Sequence, residues 1–241
     1  MSRVTFENYG RRAEAAFGET ELSGRYQMQE EAERRIVPDV IDKLALDADH
    51  RLLEIGCGAG NILIPLSFVV ASSTGVDHEA VLSRMKERGG TRRITRVPGN
   101  FLDLKIETKF DRILIYSVLH CLTDFSEVRH FVEKACELLA PGGRMLIGDI
   151  PNVDRKGRFA NSAVGKAFER TWQEESRKEA GSGSIAANLI NDPDLATFDD
   201  EAIHNLLVHI RKFGFESYLL PQSSDLPFGH TREDILVIND R

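Results

Sequence analysis

Apolar positions in this chain follow two periods in alternation. Helical spacing of three and four residues joins Ile36, Val40, Ile41 and Leu44 within 26–46, with Pro38 tolerable near a helix start. The same spacing joins Val128, Phe131, Val132, Ala135, Leu138 and Leu139 within Phe125–Leu139. It returns at Ile203, Leu206, Leu207 and Ile210, in a helix that opens at Phe198-Asp199-Asp200-Glu201 and ends near Gly214. Short apolar runs between these stretches read as strands. They are Arg51–Ile55, Thr74–Asp77, Ile94–Val97, Phe110 onward, the run after Gly143, Phe215–Leu220 and Asp234–Ile238. Asn61–Val70 is apolar enough for a helix packed on a sheet, and Glu79–Arg88 reads as another helix. Strands alternating with helices in this way predict an open α/β sheet.

The sharpest local break is Glu54-Ile55-Gly56-Cys57-Gly58-Ala59-Gly60-Asn61, where the first strand gives way to three alternate glycines and then a helix-compatible segment. Glycine tolerates positive φ and holds no side chain between a ligand and the backbone. A helix start beyond such a turn offers free N–H groups. The dinucleotide fingerprint is G-x-G-x-x-G, whereas the order here is G-x-G-x-G. Asp77 ends the second strand 17 residues after Gly60, close to the separation of about 20 at which an acid reaches a ribose. A carboxylate there can accept hydrogen bonds from both hydroxyls; the other reading is a helix N-cap for Glu79–Arg88.

Glu-x-Gly-x-Gly-x-Gly resembles motif I of the class I S-adenosylmethionine-dependent methyltransferases. Two further stretches extend the likeness: Phe110-Asp111-Arg112 leading to Ser117-Val118-Leu119-His120, and Leu138-Leu139-Ala140-Pro141-Gly142-Gly143 entering the fifth strand. The resemblance implies a Rossmann-like, seven-stranded, mostly parallel sheet with helices on both faces and an antiparallel last strand. It implies S-adenosyl-L-methionine as methyl donor and S-adenosyl-L-homocysteine as product. Carried onto this sequence, the cofactor-binding positions are Tyr26, Glu54, Gly56, Cys57, Gly58, Gly60, Asp77, His78, Asn100, Phe101, Tyr116 and Ser117. Asn100 and Phe101 match the loop that brackets the adenine, with Asp103 competing for the polar contact. Tyr26 is a candidate for covering the cofactor, or a tyrosine tucked under its own helix. Cys57 suits the turn because it is small.

Methyl transfer is an in-line displacement in which alignment supplies much of the acceleration. A hydroxyl acceptor needs a proton acceptor within reach, and a neutral amine does not. His120, following strand four, is the candidate base; the other reading has it capping the next helix or bonding backbone. Asp149, at the end of strand five, and Arg155 are candidates for acceptor binding together with His120.

The whole of 1–241 reads as one methyltransferase domain, with 1–46 as a helical cover and 150–196 as a substrate-lid insertion that includes a helix over Ser162–Glu179 and the linker-like Gly181-Ser182-Gly183-Ser184. Residues 154–178 carry seven basic and four acidic side chains, against a net charge of −7 for the chain. That balance describes either a solvated helix face or a lid for an anionic acceptor, such as a carboxylated metabolite or an activated sugar. The insertion can equally be an interface, in a monomer or a homodimer.

Composition narrows the field. A pI near 5.6 speaks against a dedicated nucleic-acid binder. Three cysteines, Cys57, Cys121 and Cys136, form no metal spacing and no paired framework, and no metal is expected. No apolar run approaches the roughly 20 residues of a membrane helix, and the first residues lack the apolar core of a signal peptide. A cytoplasmic enzyme acting on a small molecule is expected, with no nucleic-acid or membrane partner. Two other classes compete: a cofactor-binding regulatory partner without turnover, and a nicotinamide-dependent oxidoreductase. The glycine spacing and the Pro-Gly-Gly turn oppose the second.

Overall fold

The computed structural model describes residues 3–14, 18, 22–179 and 195–241. Its centre is a seven-stranded sheet in the order β3-β2-β1-β4-β5-β7-β6. The strands are β1 Arg51–Ile55, β2 Ser72–Asp77, β3 Ile94–Pro98, β4 Phe110–Tyr116, β5 Leu139–Pro151, β6 Glu216–Pro221 and β7 Arg232–Ile238. β1 to β5 pair in parallel, while β7 lies antiparallel between β5 and β6. Strand order reverses between β1 and β4, and in open sheets ligands bind at the carboxyl ends of the strands beside such a switch point.

Side-chain alternation divides the core between two faces. Leu53, Ile55, Ile113, Ile115, Met145 and Ile147 face one side, where helices α4 (Phe125–Glu137) and α7 (Asp200–Lys212) pack. Leu52, Leu114, Tyr116 and Leu146 face the other, against α2 (Ile36–Leu44) and α3 (Glu79–Glu87). Both faces are covered, so the central strands are apolar at almost every position rather than at alternate ones. Helix α1 (Arg3–Glu14) lies across α3, while α5 (Val153–Asn161) and α6 (Ala163–Glu179) follow β5.

Two expected elements differ. Asn61–Val70 contains only one helical turn, Leu63–Leu66. Pro65 has no N–H to give to the residue four back, and the chain continues through three-residue turns, Phe68 N–H to Pro65 O and Val69 N–H to Leu66 O. The Pro141-Gly142-Gly143 turn lies inside β5 instead of ahead of it. Helix α4 has already ended at Glu137, and Leu139 pairs with Phe110 before the register shifts. Gly142, at φ 71°, makes an irregular step in which its N–H bonds Asn239 O and Gly143 O accepts from Asn239 N–H. The Gly181–Ser184 linker lies outside the described residues.

Candidate functional site

A cavity of about 1130 Å³ opens over the carboxyl ends of the parallel strands. Its floor begins with the glycine turn. Gly56, Gly58 and Gly60 all have positive φ, at 79°, 56° and 85°. Two of them are needed for packing: a Cβ on Gly56 would meet Val118 Cγ2 at 2.4 Å, and one on Gly60 would meet Ile64 Cγ1 at 2.9 Å. Gly58 differs. No atom lies within 4 Å of where its Cβ would stand, and it lines the cavity, so its backbone is open to a ligand.

Asp77 ties this turn to the second strand. Its Oδ2 accepts from Gly58 N–H at 2.7 Å and its Oδ1 from His78 N–H at 2.7 Å. Each carboxylate oxygen keeps further acceptor capacity. Burial pushes the Asp77 carboxyl up to about 6, against the pull of those two donors. Glu54, 2% exposed, is also pushed well above the usual range, first by burial and then by Asp77, with Arg25 opposing. Burial likewise holds the Cys57 thiol protonated, which removes it as a nucleophile.

The rest of the floor is built at the ends of β4 and β5. Ser117 Oγ donates to Asp149 Oδ2 at 2.5 Å and accepts from Arg25 Nη2 at 3.1 Å. Arg25 also reaches Glu33 Oε1 at 3.2 Å. Tyr116 lies beneath, its hydroxyl accepting from Gln222 Nε2. Gly148 lets it lie there, since a Cβ would strike the Tyr116 ring at 2.4 Å. Asp149 Oδ1 has Arg232 Nε at 3.7 Å, beyond hydrogen-bond length. His120 is brought down to about 4, chiefly by burial and then by Arg232, so its ring is neutral near pH 7.

Among the described residues, five buried side-chain atoms have no hydrogen-bond partner, and four belong to cavity residues: Arg25 Nε, Glu54 Oε2, His120 Nδ1 and Asp149 Oδ1. Unpaired buried polar atoms are costly. Their convergence on one cavity marks it as built for a polar ligand.

Of the residues expected from sequence, Tyr26, Glu54, Gly56, Cys57, Gly58, Asp77, Asn100, Phe101, Tyr116, Ser117, His120 and Asp149 line this cavity. Asn100 Oδ1 accepts from Leu102 N–H, and Phe101 packs edge-on against Phe131 with ring centroids 4.9 Å apart. Three do not line it. His78, not Asp77, caps α3, its Nδ1 accepting from Ala80 N–H, and its ring lies against Phe6 and Gly10 of α1. Gly60 serves the turn's packing. Arg155 turns away to the carbonyls of Gly229 and His230 and to Glu233. The cations that line the cavity are Arg25, Arg232, Lys156, Lys166 and Arg170. Arg25 directly precedes Tyr26 in the sequence, whereas Arg232 carries no local signal. Asp103 is absent from the lining.

A family model described as a methyltransferase domain matches residues 53–145. The ubiquinone biosynthesis O-methyltransferase of Bradyrhizobium sp. (strain ORS 278) is 29% identical over 125 residues, 51% of this chain and 47% of that protein. The 27-O-demethylrifamycin SV methyltransferase of Amycolatopsis mediterranei (strain S699) is 29% identical over 129 residues, 50% of this chain and 46% of that one. The matches thus span less than half the length of these relatives. In fold, the chain is similar to the N-methyltransferase NodS from Bradyrhizobium japonicum WM9, solved with S-adenosyl-L-homocysteine, at a TM-score of 0.63 and 17% identity over 98% of this chain and 99% of that one. The domain match covers residues 53–145 of the chain, and the structural likeness extends the same fold over the seven-stranded sheet as a whole. Among the described residues no helix is long and apolar enough to cross a membrane, and no group of three His, Cys, Asp or Glu side chains is arranged to hold a metal.

Proposed function

We propose that the chain binds S-adenosylmethionine over the glycine turn and transfers its methyl group to an oxygen or nitrogen atom of a small molecule. The convergence of unpartnered buried polar atoms on the cavity above the glycine turn carries this reading. Glu54 Oε2 is an acceptor suited to the ligand's ammonium group. Asp77 has capacity left for ribose hydroxyls, while Asn100 and Phe101 are the candidates for an adenine edge and the adenine face. The open backbone at Gly58 admits close approach.

S-adenosylmethionine, when bound, supplies a methyl group activated on a sulfonium. The protein's part is alignment, exclusion of water and, for a hydroxyl acceptor, removal of a proton. His120 is neutral near pH 7 with an unpartnered Nδ1, and Asp149 offers an unpartnered Oδ1; either can take that proton. Residues 1–46 serve as the cofactor cover and 150–196 as the lid over the acceptor. Of the 154–178 cations, Lys156, Lys166 and Arg170 line the cavity and give that lid an anionic preference, whereas Arg158 is paired with Asp200.

Calorimetric titration with S-adenosylmethionine and S-adenosylhomocysteine tests the reading. Micromolar binding is expected, weakened roughly tenfold or more in Glu54→Gln through loss of about 1–3 kcal/mol. Failure of both ligands to bind would overturn it. Binding of both without methyl transfer to any oxygen or nitrogen nucleophile would favour a regulatory partner.

A further inference from the structure

Part of the lining of the cavity that also holds His120 and Asp149 is aromatic, and its rings come from three separate parts of the chain. Tyr26 precedes α2. Phe159 is on α5, Phe168 and Trp172 are on α6, and Phe228 and His230 belong to the segment before β7. Trp172 stands edge-on to Tyr26, with centroids 5.1 Å apart at 86°, and 6.4 Å from Phe228. Phe159 stacks on His230 at 4.3 Å and 6°, and Phe168 on Trp172 at 5.8 Å and 23°.

This cluster is not a piece of core. Helix α5 buries no residue, Phe168 is 41% exposed, and the other rings are only half-buried. Apolar burial alone would be met by aliphatic side chains. Rings joined both edge-to-face and by stacking, all of them lining the cavity, suit a partner that itself has a π face. The same cavity is lined by Asp149 and His120, whose Oδ1 and Nδ1 have no hydrogen-bond partner.

We propose that the acceptor is a planar aromatic molecule, held between the Trp172–Tyr26–Phe228 rings with its nucleophilic substituent toward Asp149 and His120. The assignment rests on the methyltransferase reading and narrows its acceptor from any small molecule to one with a π face. It does not require the acceptor to be anionic. Lys156, Lys166 and Arg170 also line the cavity and can receive an anionic substituent where one is present.

Calorimetry of the full chain saturated with S-adenosylhomocysteine can test this with two probes of one skeleton, 2-naphthol and its saturated counterpart decahydro-2-naphthol. The saturated probe keeps the carbon skeleton and the hydroxyl, so a merely greasy cavity would bind the two about equally. A π-specific site is expected to bind 2-naphthol at least tenfold more tightly. Trp172→Ala should remove at least tenfold of that affinity, and Trp172→Phe should keep it within threefold. S-adenosylhomocysteine binding, read in the same samples, certifies the fold of each variant. Equal affinity for the two probes, no binding of either, or indifference to Trp172→Ala would overturn the aromatic assignment while leaving the methyltransferase reading intact. Loss of S-adenosylhomocysteine binding in the wild type would instead strike the underlying reading.

Discussion

Ser117 and Asp149 stand at the carboxyl ends of neighbouring strands, both with φ of 60°, and their side chains meet at 2.5 Å. Left-handed backbone at a non-glycine residue costs of order 1–3 kcal/mol, and here it occurs twice, side by side. The pairing begins where β4 stops, with Ser117 N–H donating to Gly148 O. Turned this way, the serine occupies Asp149 Oδ2 and leaves Oδ1 to the cavity. Asp149→Asn keeps the shape and removes the charge. With an acceptor that supports turnover, kcat is expected to fall about a hundredfold, while the dissociation constant of S-adenosylhomocysteine changes less than threefold. Equal losses in both would mean the carboxylate serves the cofactor site.

With S-adenosylmethionine seated as proposed, Asp77 would make its affinity depend on pH. Its carboxyl, pushed up to about 6 by burial, is protonated in a large share of molecules at pH 5. Ribose hydroxyls donate to the ionised form, so the ligand prefers that form and affinity falls as pH drops through 6. Calorimetry with S-adenosylhomocysteine should show binding roughly tenfold weaker at pH 5 than at pH 7. Asp77→Asn should bind more weakly at pH 7 and lose this pH dependence.

His120 offers a prediction that needs no acceptor. A ring held down to about 4 by burial and by Arg232 stays neutral through the ordinary range. In imidazole-detected NMR, the signal missing from His120→Gln should not titrate between about pH 5.5 and 8, where an unperturbed histidine changes charge. A midpoint near the free value would mean the ring is solvated and poorly placed to take a substrate proton.

Lys43 holds the site from behind. Its Nζ lies 2.6 Å from Asp234 Oδ2 and 2.7 Å from Asp39 Oδ2. Asp234, fully buried in β7, receives the Asp149 N–H on Oδ1 at 2.8 Å. Lys43→Met would leave that carboxylate buried without its cation, at a cost of about 3–5 kcal/mol. Thermal unfolding should show the midpoint lowered by roughly 10 °C. Adding Asp234→Asn, which removes the stranded charge and keeps an acceptor for Asp149, should recover at least half of the loss.

Sequence alone determined what depends on neighbours along the chain. The unbroken apolar runs became strands because the sheet buries both of their faces, and the alternate glycines became a tight turn because all three need positive φ. Asp77 was legible from its distance to that turn. Tertiary structure decided which way side chains point and which distant segments meet. His78 follows Asp77 directly, yet it caps α3 under α1 while Asp77 turns to the glycines, since leaving a strand for a helix sends consecutive side chains in different directions. Arg155 had the charge expected of an acceptor ligand but found carbonyls beside β7, and Arg232 took the place next to Asp149. The ring of Tyr26, Trp172 and Phe228 has no signature in any window of sequence, because it exists only where the N-terminal segment, the helices after β5 and the approach to β7 close over the same strand ends.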